Sequence, residues 1–185
     1  LRTHGITKDP DQMKENNDPW YYEMNEVGYN YRITDFQAAL GMSQLKKIDK
    51  IKARRREIVN YYNEQFSDIE EIILPYEDES VNSNFHLYIL QVKENPRFDR
   101  YDLFTYFENK NYAPMVHYIP VHLLSYYKQR YGHKRGGFPV TEHFYDRAIS
   151  IPLYPSLTDD EVEKMMPDKK KSELFSKLKL ISKKR

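Results

Sequence analysis

Apolar positions recur at helical spacing from Thr34 to about Phe66: Phe36, Leu40, Ile48, Ile51, Ile58, Tyr62 and Phe66 fall mainly three or four residues apart, or at multiples of those steps. Thr34 opens this helix as an N-cap, and Gln37 three residues on completes a capping box in which hydroxyl and amide satisfy orphan backbone donors reciprocally. Asp35 sits in the first turn, where the helix dipole favours a negative charge, and Ile33 is placed to staple against Ala38. Lys46, Lys47, Lys50, Arg54, Arg55 and Arg56 lie between the apolar positions and read as a solvated face.

Beyond this helix the pattern shortens. Ile69 to Leu74 reads as a strand stopped by Pro75, and the aromatic and branched run Phe85 to Val92 as a half-buried strand. Asp99 caps a helix through Tyr101, Leu103, Phe104 and Phe107 that ends near Asn109–Asn111, and Tyr112 to Val116 is a third strand candidate. A short helix is expected near Leu123–Arg130, then a basic turn at Gly132–Gly137, a helix over Val140–Ala148 and an extended run Ile149–Pro155. Thr158 caps a last helix with Asp159, Asp160 and Glu161 in its first turn. Residues 1–27 are polar, irregular and turn-rich. The order helix, strand, strand, helix, strand predicts an α+β fold, with helices packed on a small sheet.

Composition narrows the partners. The 185 residues suffice for one ordinary core, and 17 tyrosines with 9 phenylalanines carry much of the apolar area. Net charge is +1, which argues against a nucleic-acid binder, but residues 167–185 hold seven lysines and one arginine against Asp168 and Glu173. In that tail Leu174, Leu178 and Ile181 form one possible helical stripe with Phe175 beside it. We read it as an altered terminal helix rather than a lipid-binding one, and expect no membrane contact from it. There is no cysteine, no apolar run of membrane-spanning length and no signal peptide, so the expectation is a soluble cytoplasmic protein.

Two stretches carry candidate chemistry. Asn30 and Arg32 lie on the loop that feeds the capped helix; in an extended loop they point to one side. An amide can hold a phosphate oxygen without adding charge, and a guanidinium can clamp a phosphate or carboxylate by two bonds. The alternatives are a turn asparagine bonding its own backbone and an arginine that anchors the loop by an ion pair. The second stretch is Val116-His117-Tyr118-Ile119-Pro120-Val121-His122, a proline-stiffened segment with two histidines and a tyrosine. His117 and His122 can bond hydroxyls or phosphates and Tyr118 can pack on a ring, or the histidines can act as structural caps. No metal site is expected: two histidines five apart have no neighbouring carboxylate or cysteine.

The run Gly28-Tyr29-Asn30-Tyr31-Arg32-Ile33-Thr34-Asp35-Phe36-Gln37-Ala38-Ala39-Leu40-Gly41, continued to Asp49, resembles the signature of the DegT/DnrJ/EryC1/StrS sugar aminotransferases. Leu1–Ile6 and Trp20-Tyr21-Tyr22-Glu23 fit the same pattern, and the resemblance extends to about residue 166. It implies a fold-type I enzyme using pyridoxal 5′-phosphate (PLP), and within the family it leans to the transaminases of pseudaminic acid synthesis. The implied layout is the end of the large PLP domain with a crossover loop in residues 1–32, the small C-terminal domain in residues 33–166 and a basic tail in residues 167–185. In resembling enzymes the asparagine at the position of Asn30 reaches the PLP phosphate of the neighbouring subunit, which implies a homodimer with shared active sites. Arg32, His117, Tyr118 and His122 fall where substrate would bind: a UDP-4-keto-6-deoxy sugar and the amino donor glutamate. The family's Schiff-base lysine lies upstream of the Leu1–Ile6 segment, and the turn around Lys8 does not resemble its setting, so no catalytic residue is assigned. The expectation is the C-terminal part of an aminotransferase, inactive by itself. The alternative is a non-catalytic sugar-nucleotide-binding or dimerisation module derived from the family.

Overall fold

The computed structural model describes residues 1–15, 18–94 and 98–166. The chain forms two compact units, Leu1–Ile48 and a second from Asp49 onward.

In the first unit, β1 (Ile6–Thr7) pairs antiparallel with β2 (Glu23–Met24), with Ile6 opposite Met24. The carboxylate of Glu23 accepts the backbone N–H groups of Lys14 and Glu15 at 2.7 and 2.8 Å, which closes the intervening turn. Helix α1 (Asp35–Leu45) follows, capped by the expected reciprocal pair: Gln37 N–H donates to Thr34 Oγ1 at 3.3 Å and Thr34 N–H to Gln37 Oε1 at 3.0 Å. None of the described residues of this unit is buried, and Phe36, Leu40, Met42 and Leu45 all lie exposed along α1. The expected single helix to Phe66 is two helices. Lys47 N–H turns to the carbonyl of Gln44, three residues back, and this tightened turn ends α1 before α2 (Ile48–Phe66) begins.

The second unit is a three-stranded antiparallel sheet in the order β3 (Ile72–Ile73), β4 (Tyr88–Val92), β5 (Ala148–Ile151). Tyr88 stands opposite Ile151 and Gln91 opposite Ala148. Tyr88, Leu90 and Val92 alternate into the core, as period two requires. They meet Ile58, Val59, Tyr62 and Phe66 of α2, and Leu103, Tyr106 and Phe107 of α3 (Arg100–Asn109). After α4 (Ser125–Tyr131) and α5 (Pro139–Arg147), Val162 and Met165 of α6 (Asp159–Met165) complete this core. The buried hydroxyl of Tyr62 donates to the carbonyl of Pro152 at 2.8 Å. The caps at Asp99 and Thr158 form as expected. The strand expected over Tyr112–Val116 is a single bridge between Met115 and Ser150, because Pro114 has no N–H to extend a ladder. The reading of the tail falls on residues 167–185, outside the described residues.

The arginines of α2 do not form a solvated face. Each is half-buried and holds a different segment. Arg54 donates to the carbonyl of Leu157 at 2.7 Å and to Asp159 at 2.6 Å. One guanidinium nitrogen of Arg55 faces the carbonyls of Phe85, His86 and Leu153 at 2.9, 3.1 and 3.1 Å. Arg56 makes a two-pronged pair with Glu77 at 2.5 and 2.9 Å, bonds the carbonyl of Ser83 and lies over the ring of Phe85. A second clasp is Glu142 in the first turn of α5. Its Oε1 accepts from Phe138 N–H at 3.1 Å and from His122 Nε2 at 2.8 Å, and its Oε2 from Gly136 N–H at 2.7 Å. The Gly136 N–H is foremost in holding the Glu142 carboxyl down to about 2, with burial opposing and His122 assisting.

Two expectations follow. Arg55→Ala strands three carbonyls and should cost about 2–3 kcal/mol in urea unfolding, whereas Lys50→Ala on the exposed face should stay within about 0.5 kcal/mol. Glu77 and Glu142 both sit at about 2 in the folded chain, below the ordinary carboxylate value they recover on unfolding. Their contribution is therefore complete above about pH 4.5 and is lost as pH falls towards 2. Glu142→Gln should begin less stable at neutral pH and lose less across that window in thermal melts; an unchanged acid slope counts against the clasp.

Candidate functional site

The loop bearing Asn30 is built by close backbone approach. Leu1 to Gly5 runs beside Gly28 to Tyr31. Tyr29 N–H donates to Leu1 O at 2.8 Å, Tyr31 N–H to Arg2 O at 2.9 Å, and His4 N–H to Tyr29 O at 2.8 Å. Two glycines make the crossing possible. A Cβ on Gly5 would lie 1.9 Å from the carbonyl oxygen of Glu26, and one on Gly28 would lie 2.2 Å from the nitrogen of Gly5. Gly5 also has φ +70°, which side chains rarely tolerate. Thr3 and Asn30 form an antiparallel bridge, and Tyr29 and Tyr31 stack with ring centroids 4.9 Å apart and planes within 7°. Extended backbone that puts these two rings on one face turns Asn30 and Arg32 to the other. Both are exposed, and among the described residues neither side chain has a hydrogen bond or ion pair. The loop is thus pinned at one end by the Leu1–Gly5 segment and at the other by the cap at Thr34, with a free amide and a free guanidinium on its surface.

In the second unit the sequence Met115–His122 runs off the edge of β5. Ser150 N–H donates to Met115 O at 2.7 Å and Met115 N–H to Ser150 O at 3.0 Å. His117 is half-buried, and its Nδ1 lies 2.8 Å from Ser150 Oγ. The His117–Tyr118 peptide is cis, and the two rings meet edge to face at 4.6 Å. Tyr118 is 74% exposed, free to pack on a ligand. His122 is placed differently: it is buried, packed on Phe138 at 4.6 Å and bonded to Glu142. An ionised carboxylate only accepts, so His122 Nε2 carries the proton and that edge of the ring is committed inside the fold. The structure therefore brings His117, Tyr118 and His122 into one segment of the second unit, and Asn30 and Arg32 into one loop of the first.

Sequence reasoning missed Glu142. Its only signal was an acid in a first helical turn after Gly-Gly-Phe-Pro, which by itself reads as a dipole effect. Arg147 in the last turn of α5 donates to Gln91 Oε1 at 2.9 Å and to the carbonyl of His143. Lys8 is exposed, and no lysine among the described residues is buried. No cluster of three potential metal ligands occurs among the described residues, and no described helix is long and apolar enough to cross a membrane.

Comparison with known proteins gives the constellation a context. The profile of the DegT/DnrJ/EryC1/StrS aminotransferase family matches residues 1–168. The spore coat polysaccharide biosynthesis protein SpsC of Bacillus subtilis is 38% identical over 165 residues, which are 88% of this chain and 42% of that protein. A UDP-4-amino-4,6-dideoxy-N-acetyl-β-L-altrosamine transaminase of Campylobacter jejuni is 31% identical over 157 residues, 85% of this chain and 39% of that protein. The chain thus spans about two fifths of the length of these relatives. A sugar aminotransferase structure from Streptococcus pneumoniae, in its PMP form, superposes with a TM-score of 0.74 at 29% identity, covering 99% of this chain and 43% of that one; it is also known in a PLP form. PLP is the cofactor of this class, and the α+β architecture found here matches the corresponding part of that fold. With the profile covering nearly all the described residues, the chain belongs to the DegT/DnrJ/EryC1/StrS aminotransferase family.

Proposed function

We propose that this chain forms the C-terminal part of a PLP-dependent aminotransferase that moves an amino group from glutamate to the C4 keto group of a UDP-4-keto-6-deoxy amino sugar. The observation that carries this is the loop pinned between the Gly5–Gly28 crossing and the Thr34 cap, which holds an uncommitted Asn30 amide and Arg32 guanidinium outward. A pre-placed amide suits a phosphate oxygen, and a pre-placed guanidinium suits a diphosphate or the carboxylate of glutamate. The likeness to the Campylobacter transaminase supports a nucleotide sugar of the pseudaminic acid type; the higher identity to SpsC supports the broader class of polysaccharide precursors.

Bound PLP supplies an electron sink for moving an amino group between carbons. The roles proposed for this chain are those of its own residues. Asn30 holds the cofactor phosphate, reaching across to a neighbouring subunit. Arg32 holds an anionic group of the donor or the nucleotide. His117 and Tyr118 contact the sugar nucleotide, and His122, tied to Glu142, holds the wall behind them. Residues 1–32 are assigned to the end of the large domain, 33–166 to the small domain, and the whole acts in the cytoplasm as a homodimer. The exposed Phe36 and Leu40, four residues apart on one side of α1, supply an apolar contact for such an assembly.

The lysine that holds the cofactor is not assigned among the described residues, since a Schiff-base lysine needs a buried pocket and no described lysine has one. These residues incubated with PLP, glutamate and a UDP-4-keto sugar should give no amino sugar. Joined to a lysine-bearing large domain they should turn over, and Asn30→Ala should then weaken PLP binding at least about tenfold in an absorbance titration. Turnover by the isolated chain overturns the incomplete-enzyme reading. Failure of the joined protein, with sugar-nucleotide binding intact, favours a non-catalytic module instead. Phe36→Asp with Leu40→Asp should shift sedimentation from dimer to monomer; an unaltered profile removes α1 from the subunit contact.

A further inference from the structure

Ser150 lies in the middle of β5, paired with Ile89 of β4 on one side and bridged to Met115 on the other. Ile149 and Ile151 enter the core, so the alternation of the strand turns Ser150 to the opposite face, where it is only 4% exposed. Its hydroxyl has one partner among the described residues, Nδ1 of His117 at 2.8 Å. A buried hydroxyl hydrogen requires an acceptor. If His117 carried its proton on Nδ1 and donated to Oγ, the serine hydrogen would be left without one. If Ser150 donates to an unprotonated Nδ1, every buried donor at this contact is satisfied.

We infer that Ser150 is a positioning residue that fixes the His117 ring in its Nε2–H tautomer, so that the histidine meets its ligand as a hydrogen-bond donor to an oxygen. This rests on the reading of His117 as a sugar-nucleotide contact. The serine sets both the orientation of the ring and the nitrogen that holds the hydrogen. Nε2, which has no hydrogen-bond partner among the described residues, then offers a proton rather than a lone pair, which suits a diphosphate oxygen or a sugar oxygen and disqualifies that edge as a proton acceptor or metal ligand. The backbone ladder around Ser150 holds the hydroxyl still while Tyr118, next in sequence, stays exposed to pack on the ligand.

The test is long-range proton–nitrogen correlation on the full chain with nitrogen-15 histidine at about pH 8, above the ordinary histidine range. His117 should show an unprotonated Nδ1 and a protonated Nε2; a protonated Nδ1 overturns the inference from the unsubstituted chain alone. Ser150→Ala should move the ring to a mixture of tautomers and weaken UDP-N-acetylglucosamine binding about fivefold to tenfold, and Ser150→Thr, which keeps the hydroxyl, should restore both. An unmoved tautomer in Ser150→Ala also overturns it. Titration with UDP alone separates a diphosphate contact, where Ser150→Ala weakens both ligands, from a sugar contact, where only the sugar nucleotide suffers. If the unsubstituted chain, joined to a lysine-bearing large domain, binds neither ligand, the sugar-nucleotide reading falls, and the tautomer measurement still decides the role of Ser150.

Discussion

The second unit depends on three consecutive arginines. Successive residues of a helix project about 100° apart, so Arg54, Arg55 and Arg56 fan around α2 and reach three segments that no single face could touch. One holds the entry to α6, one holds the chain before β4 together with Leu153 after β5, and one holds the loop at Glu77–Ser83. Arginine suits this role because its planar fork stays charged and satisfies several backbone carbonyls at once, where lysine offers a single point. One turn further along, Ile58, Val59 and Tyr62 bury themselves in the core. The same helix thus pins the loops at its first half and nucleates apolar packing at its second.

The first unit is held by different physics. With no buried residue among those described, its order comes from paired backbone, a cap and the contact of two glycines. That is enough to fix the backbone around Asn30 and leaves the side chains of the loop bare. Glu142 does a comparable task in the second unit with a single carboxylate, drawing Gly136, Phe138 and His122 to one point. In the first unit what is fixed is backbone alone; in the second Glu142 fixes two backbone N–H groups and the His122 ring together.

Local signals were legible and long-range ones were not. The caps at Thr34, Asp99 and Thr158, the alternation of Tyr88, Leu90 and Val92, and the α+β order could be read because each depends on residues within a few positions of each other. The break at Lys46–Lys47 was hidden because apolar spacing runs through it; only the switch of one hydrogen bond marks it. The arginines looked solvated because their partners lie up to 105 residues away. The site divides along the same line. Asn30 and Arg32 stood out by their place before a capped helix, and the pinned loop presents both. His117 and His122 looked alike in sequence, five residues apart on one stiff segment, yet one rests on Ser150 and the other is enclosed against Glu142. Those partners arrive from β5 and α5, and no spacing rule links them to the histidines.

The position of β5 also shapes how the chain comes to be folded. The central strand β4 is complete at Val92, but its partner on one side is made only when residues 148–151 exist, and Arg54 waits for Leu157 and Asp159. During synthesis the ribosome would therefore release α2 and β4 well before the segments that cover them, and closure of this unit must be a late event with high loop-closure cost. The backbone contacts of the crossing beside Asn30 all lie among residues 1–31, so that crossing can form before β5 and α6 are made. Between the making of β4 and the arrival of β5 an aromatic strand edge stands open, and that interval is where aggregation would compete with folding.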